Sequence, residues 1–346
     1  MLTTSSDLTI SIVIPVHNGG EGFALCLRSI AASNLPPHEI IVVADGESDG
    51  SWRIAQEYTT RILPLPESRG PARARNLGAK MATGEVILFI DSDIVIPPDA
   101  LTLVSRVFQR DPGIAALFGS YDDSPYMADF LSQYKNLFHH YVHQTACEDA
   151  STFWSGCGAV RRVVFQELGG FDEDYRRPSI EDIEFGYRLK KAGYRIRLEK
   201  ELEVKHLKRW GMLSLLRADI IYRAIPWSRL ILSEGRMMND MNLKTGSRIS
   251  VITVFLLVAA LCTAFFEPLF LAPVALFMIL LLVLNRDLYR FFNEKRGLLF
   301  AIKTVPWNWL YFFYSGLAFA YGLATYRQTR PRADIRADYP LSQEVK

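Results

Sequence analysis

From Ile249 to Leu284 the only charged residue is Glu267, and that run constrains the chain more than any other feature. It is too long for one perpendicular membrane span of about 20 residues and close to the minimum for two. Glu267-Pro268 divides it almost evenly, so we expect a tight transmembrane helical hairpin over 249–284, with a re-entrant hairpin as the second choice. Lys244 and Arg248 precede the run, and Arg286, Arg290, Lys295 and Arg296 follow it. The positive-inside tendency is met when both flanks face the cytoplasm. Residues 285–304 then form a cytoplasmic amphipathic connector. A second uncharged run, 305–326, carries Trp307, Trp309, Tyr311, Tyr314 and Tyr321. Such aromatic density suits an interface as well as a span. The segment is expected to be membrane-embedded, its crossing left open, ahead of a polar tail at 327–346.

Up to Arg248 the chain mixes charges and apolar residues as a water-soluble domain does. The 39 basic and 37 acidic residues leave a net charge of +2 over 346 residues, too near neutrality to point to nucleic acid. Cys26, Cys147, Cys157 and Cys262 show no paired spacing, so neither a disulfide framework nor a zinc site is expected. With Asp7 and no long apolar run before Ser11, no cleavable signal peptide is expected. Residues 213–235 mix Leu, Ile, Tyr and Trp with Arg217, Arg223 and Arg229. That composition fits a helix in the headgroup layer and equally a core helix of the domain at 1–235.

Within that domain, short β-branched runs alternate with helical spacing. Ser11–Val16 reads as a buried strand ended by His-Asn-Gly-Gly, Ile40–Val43 as a second, Arg61–Leu65 as a third and Val86–Ile90 as a fourth. Helical patterns fill the gaps at 23–32, after Ser51 and at 73–81. The alternation predicts a mostly parallel α/β sheet flanked by helices. Ligands bind beyond the carboxyl ends of such strands, where Asp45 and Asp91-Ser92-Asp93 fall. Neither a Walker-type loop nor a GxGxxG follows the first strand, which disfavours a P-loop or ordinary dinucleotide site.

Asp-x-Asp after a buried strand offers hard oxygen ligands suited to Mg2+ or Mn2+. Alone it is weak, because acidic turn residues are common there. Further along come Trp154-Ser155-Gly156-Cys157-Gly158, then Gly169-Gly170-Phe171-Asp172, then Glu181-Asp182 heading an amphipathic stretch, then His206-Leu207-Lys208-Arg209-Trp210. A carboxylate at a helix start is ordinarily a cap or dipole partner. That accounts for Glu181 or Asp182 singly, but not for the pair between a Gly-rich loop and HLKRW. His139, His140 and His143 lie in an aromatic helical stretch without HExxH and read as packing near an acceptor or membrane. Tyr121-Asp122-Asp123 reads as a loop capped by aspartates, with an acceptor contact as the lesser option.

The order of SIVIPVHN, VVADGESDGS, SRGPARARNLGAKMATGE, FIDSDI, SGCGAVRR, GGFDE, EDIEFGYRLKKAG and HLKRW resembles family 2 glycosyltransferases over residues 10–235. The resemblance implies the GT-A nucleotide-diphospho-sugar transferase fold, with Pro15 to His17 against the nucleotide and Asp45 on its base, commonly uracil. Arg69 or Arg75 would approach the nucleotide or its phosphates. Asp91 would hold the ribose or the metal shell, Asp93 would be the direct metal ligand, and Asp182 the general base. His206, Arg209 and Trp210 match Q-x-x-R-W with His for Gln, a departure that speaks against processive synthesis and suggests His206 as a metal ligand. Trp154, Gly156, Glu181, Arg209 and Trp210 would lie on the acceptor or donor-sugar side.

A sugar or lipid hydroxyl is a poor nucleophile at neutral pH, and a positioned carboxylate is worth about 10²–10⁴-fold. One base without an evident protein nucleophile predicts direct, inverting displacement. The reading is therefore metal-dependent transfer from a UDP-sugar to a lipid or glycan hydroxyl by an inner-membrane protein with a cytoplasmic catalytic domain. A polyprenyl-phosphate sugar synthase is the nearest alternative, although a phosphate acceptor needs no such base. A non-catalytic nucleotide-sugar-binding subunit is the alternative from another class.

Overall fold

The first strands form where the β-branched runs lie, because both faces of the sheet are covered and continuous apolar strands are stable only there. In the computed structural model, which describes residues 8–326, β1 (Ile10–Val16), α1 (Gly20–Ala31), β2 (Glu39–Asp45), α2 (Ser51–Ala55), β3 (Arg61–Leu65), α3 (Pro71–Met81) and β4 (Val86–Ile90) alternate as expected. β3, β2, β1 and β4 lie side by side, all parallel.

The chain then adds β5 (Ile94–Val95), α4 (Ala100–Arg110), β6 (Ile114–Tyr121), α5 (Phe130–Gln144), β7 (Cys157–Arg161), α6 (Arg162–Glu167), α7 (Glu181–Lys191) and β8 (Arg195–His206). The sheet order is β3-β2-β1-β4-β7-β6-β8-β5. β7 runs antiparallel between β4 and β6, so the loop before it returns to the carboxyl end of β4. β5 pairs antiparallel with the last residues of β8, setting Ile94 opposite His206. Tyr121 is not in a loop as the sequence suggested. It is the last residue of β6, whose apolar start is buried between β7 and β8.

After the sheet, α8 (Met212–Arg217) passes through a π-helical segment, Ala218–Ala224, into α9 (Ile225–Glu234). Pro226 lacks an N–H and crowds the carbonyl one turn back, and the wider turn before it accommodates that. Between the two expectations for 213–235, the helix takes an intermediate place. Leu215, Asp219, Ser228 and Ile231 are buried while Leu213 and Ile221 are exposed.

α10 (Thr245–Ala264) and α11 (Leu271–Leu284) pack as a hairpin about Glu267-Pro268, and α12 (Arg286–Arg296) turns away from α11 by 64°. α13 (Leu298–Tyr326) starts inside the expected 285–304 connector and runs through Pro306. α10 is long and apolar enough to cross a membrane; α11 passes the same test only together with α12, as a bent pair. The polar tail at 327–346 lies outside the described residues.

These helices are fastened to the sheet domain. Lys135 Nζ donates to both oxygens of the buried Asp219 at 2.6 and 2.7 Å, and the Tyr314 hydroxyl donates to Asp219 at 2.8 Å. Tyr134 and Leu137 of α5 form one apolar cluster with Leu288, Phe292 and Ala301, and Lys295 donates to Asp123 at 2.5 Å.

Candidate active site

Parallel β1, β2 and β4 end on the same edge, and the turns leaving them form one wall of a cleft of about 1540 Å³. Pro15 and His17 stand at the end of β1, and His17 Nδ1 lies 2.8 Å from the Asp45 carbonyl oxygen. Asp45 is buried at the end of β2. Its carboxylate accepts from the Ser68 hydroxyl at 2.8 Å and from the Arg69 and Gly70 amides at 3.1 Å each. It thereby shapes the 68–70 loop that floors this end of the cleft. Of the two arginines considered, Arg75 lines the cleft, while the Arg69 side chain turns to the surface and bonds Glu67.

Arg75 projects from α3 and joins two carboxylates. One guanidinium nitrogen is 2.6 Å from Asp91 and another 2.8 Å from Glu181. Burial pushes Asp91 and Glu181 above the usual carboxylate range, and the Arg75 charge opposes that at both. Glu181 also accepts from the Ser179 amide at 2.9 Å, so its oxygens are committed to structure. Arg75 and Glu181 thus tie α3 to the start of α7 behind Asp91.

Asp182 is the next residue of α7 and faces the cleft. Its Oδ2 accepts from the Ser155 amide at 3.1 Å and the Ser155 hydroxyl at 3.2 Å. A carboxylate in the first helical turn is also favoured by the helix dipole. The same loop reaches β4, where the Asp91 amide donates to the Gly156 carbonyl at 3.0 Å. Residue 156 must be glycine for packing reasons: a Cβ there would sit 2.4 Å from the Trp154 ring. Ser155 and Gly156 therefore set the spacing between the 91–93 turn and Asp182.

The β5–β8 pairing carries His206 to Asp93, with His206 Nε2 3.4 Å from Asp93 Oδ2. His206 Nδ1 is 2.9 Å from Asn136 Oδ1, and the Asn136 amide nitrogen donates to the Ser132 carbonyl at 3.0 Å. That network orients the Asn136 oxygen toward the ring, so Nδ1 carries the proton and donates. Nε2 is thereby left facing the Asp93 carboxylate, so the two side chains present a nitrogen and an oxygen to the same point of the cleft. Burial raises Asp93, but the facing His206 and then Lys208 outweigh it and draw its carboxyl below the usual range.

The Asp93 carboxylate suits Mg2+ or Mn2+, and an imidazole beside it favours the softer Mn2+ of the two. Among the described residues no group of three His, Cys, Asp or Glu side chains forms a complete cage. Two protein ligands are what a site completed by substrate phosphates and water requires.

Beyond Asp93 the wall is aromatic. Tyr121 stacks on His206 with ring centres 4.4 Å apart and planes 7° apart, and its ring centre is 4.1 Å from that of His139. Trp154 stands edge-on to Tyr121 at 5.0 Å. Burial, and then the neighbouring His143, hold His139 well below the ordinary histidine range, so this wall is uncharged. Trp210 is buried at the cleft with Lys208 over its ring, whereas Arg209 is exposed toward Asp129. Tyr121, expected in a capped loop, and Asn136 and Ser155, which sequence reasoning did not single out, complete the site. A strand period over 114–121 would have found Tyr121; no local signal marks the other two.

Residues 11–169 match the sequence profile of Glycosyl transferase family 2. Glycosyltransferase GlyG of Streptococcus pneumoniae is 32% identical over 122 residues, covering 33% of this chain and 40% of the relative. Poly-beta-1,6-N-acetyl-D-glucosamine synthase of Staphylococcus aureus is 25% identical over 202 residues, covering 55% and 48%. The chain thus spans less than half the length of either. Mannosyltransferase PcManGT from Pyrobaculum calidifontis, solved with GDP-Man and Mn2+, shares the fold at TM-score 0.51 and 16% identity, covering 93% of this chain and 88% of that one. S. aureus TarS in complex with UDP-GlcNAc does so at TM-score 0.51 and 17% identity, covering 93% and 92%. The α/β sheet is therefore of the GT-A type, with carboxylates gathered at the ends of β2 and β4 and the head of α7, and residues 11–169 form a glycosyltransferase family 2 domain.

Proposed function

We propose that the chain is a metal-dependent, inverting transferase that moves a sugar from a UDP-sugar to a hydroxyl acceptor, a lipid or lipid-linked glycan. What carries the reading is Asp182, held by Ser155 at the head of α7 in the same cleft as Asp93 and His206. Pro15, His17 and Asp45 take the nucleotide, and Asp91 the ribose side. Asp93 and His206 hold Mn2+ or Mg2+, which offsets the diphosphate charge when bound.

The acceptor hydroxyl gives its proton to Asp182 as its oxygen bonds to the anomeric carbon. The bond from that carbon to the diphosphate oxygen breaks on the opposite face, and UDP leaves. An α-linked donor yields a β-linked product. Arg75 is a positioning residue that keeps Asp91 and the head of α7 in register.

UDP-N-acetylglucosamine is the first donor to test, since a related synthase is named for that sugar and a structural neighbour was solved with it. GDP-mannose is the comparison donor. The apolar α10–α11 hairpin supports a seat in the inner membrane, with the basic flanks and the catalytic domain on the cytoplasmic side.

Asp182→Asn tests the assignment. It should keep UDP and Mn2+ affinity by calorimetry and lose transfer by roughly two orders of magnitude or more. Unchanged turnover sinks the base assignment.

A further inference from the structure

The cleft is larger than a nucleotide-sugar needs. Small-molecule sites run to about 300–1,000 Å³, against about 1540 Å³ here. The surplus lies beyond Tyr121 and His139, where the cleft is lined by α9, α10 and α13. α13 packs against both other helices. It offers small residues, Ser315, Gly316 and Ala320, to the space. At Gly316 a Cβ would meet the Phe255 ring at 2.3 Å, so a glycine lets α10 close one side. Val251, Ile252 and Phe255 of α10 and Trp227 and Ile231 of α9 complete an apolar trough.

Two features say what enters it. Ile252, which lines the cleft, is 62% exposed, and Leu256 one turn further along α10 also lines it and is 46% exposed, so the trough opens where α10 presents apolar surface. At the inner end, toward Asp182, the rim carries Arg177, Lys208, Arg217 and Arg223; Asp219 is buried against Lys135 at 2.6 Å and lies 4.0 Å from Arg223, so one carboxylate is shared by two cations and the collar keeps a positive excess. A basic collar between a catalytic carboxylate and an apolar trough complements a phosphate between a hydroxylated head and a long chain.

We infer that the acceptor is an anionic lipid whose chain lies along α10 and α13 and whose phosphate meets Arg217 and Arg223. The inference rests on the transferase reading of Asp182 and adds the class and seat of its acceptor.

The test uses the purified full chain in detergent with saturating UDP and Mn2+, so that the donor diphosphate does not compete for the collar. The probe is a long-chain alkyl phosphate bearing a photoreactive diazirine near the chain end, and crosslinks are mapped by mass spectrometry. Labelling should concentrate in 247–256 and 311–320, about tenfold over the outward face of α11. Ala320→Trp and Ile252→Trp each fill the trough and should lower it about tenfold, the effect of excluding two methylenes. Leu317→Trp, on a 48% exposed position of α13 outside the trough, should leave it unchanged. Arg217→Gln with Arg223→Gln should reduce phosphate-probe labelling to that of an alkyl alcohol of equal chain.

Diffuse labelling, insensitivity to both tryptophans, or equal labelling by alcohol and phosphate in the unsubstituted protein overturns the inference alone, provided metal-dependent UDP affinity is intact. Absence of that affinity in the unsubstituted protein overturns the donor reading and this inference with it.

Discussion

Replacing Arg75 with methionine removes the cation that joins Asp91 to Glu181 and leaves the volume nearly filled. The two carboxylates respond differently. Asp91 is 36% exposed on its side chain, so cleft water screens its lost partner and that half of the cost is small. Glu181 is 4% exposed and Arg75 was 5% exposed, and deleting one partner of such a buried pair costs about 3–5 kcal/mol. For a domain of this size each kcal/mol moves the midpoint about 2–4 °C, so the thermal transition should fall by roughly 6–20 °C at pH 8.

Glu181 can escape the cost by taking up a proton, which gives the prediction a pH signature. Burial already pushes its carboxyl up and the Arg75 charge opposes that, so losing Arg75 raises it further. The folded variant then holds a proton that the unfolded chain releases near about pH 4.3. A raised folded pKa contributes stability below the unfolded value that is lost as pH rises through the folded one. The deficit against the parent protein is therefore smaller at pH 5 than at pH 8. Tryptophan fluorescence melts in detergent at both pH values measure it. Adding Glu181→Gln removes the stranded charge and should restore most of the loss at pH 8. A drop under about 2 °C, less than 1 kcal/mol by the same conversion, or a double variant no better than the single one, refutes the account of a buried, Arg-dependent carboxylate.

Three further outcomes follow from the contacts. Asn136→Ala removes the acceptor that keeps the His206 proton on Nδ1, and Mn2+ affinity measured by titration with UDP should weaken about 10–100-fold; an unchanged affinity means Asn136 does not orient the ligand. Gly156→Ala drives a methyl into the Trp154 ring at 2.4 Å, an overpacking expected to cost about 1–3 kcal/mol in denaturant melts and to reduce transfer by shifting Ser155 away from Asp182. Lys135→Met leaves Asp219 buried with only partial neutralisation, so about 3–5 kcal/mol is lost, and limited proteolysis should open the 212–245 stretch faster than in the parent chain.

What could be read from the chain alone was whatever depends on local period. β1 and β4 fell where the β-branched runs lay because a strand buried on both faces has no other composition available. Asp45 and Asp91 could be placed together because parallel strands end on one edge. The resemblance supplied Asp93, Asp182 and His206 as partners, but nothing local explains how His206 reaches Asp93. That contact depends on a two-residue strand, Ile94–Val95, pairing with the far end of β8, and two residues have no period to read. Tyr121 was misplaced for a related reason. Its neighbours Asp122 and Asp123 look like turn residues, yet Lys205 and Lys295 neutralise them from elements far away in sequence.

The arginines make the same point about charge. Arg69 and Arg75 lie six positions apart in one motif and are chemically interchangeable on paper. The positive-φ turn at Gly70 ends the loop that carries Arg69 outward, and α3 begins at Pro71 and turns Arg75 inward against Glu181, a residue of a different helix. Burial then separates their roles: an exposed guanidinium pairs with Glu67 at little gain, while the buried one holds two elements in register. The trough among α9, α10 and α13 is the extreme case. Hydropathy marks α10 and α13 as apolar, but which face of α13 carries Ser315, Gly316 and Ala320 toward the cleft depends on where Asp219 is anchored by Lys135 and Tyr314. A site of this kind is set by side chains that are individually ordinary, and only their convergence, with Asp182 at one end and apolar surface at the other, gives them a chemical meaning.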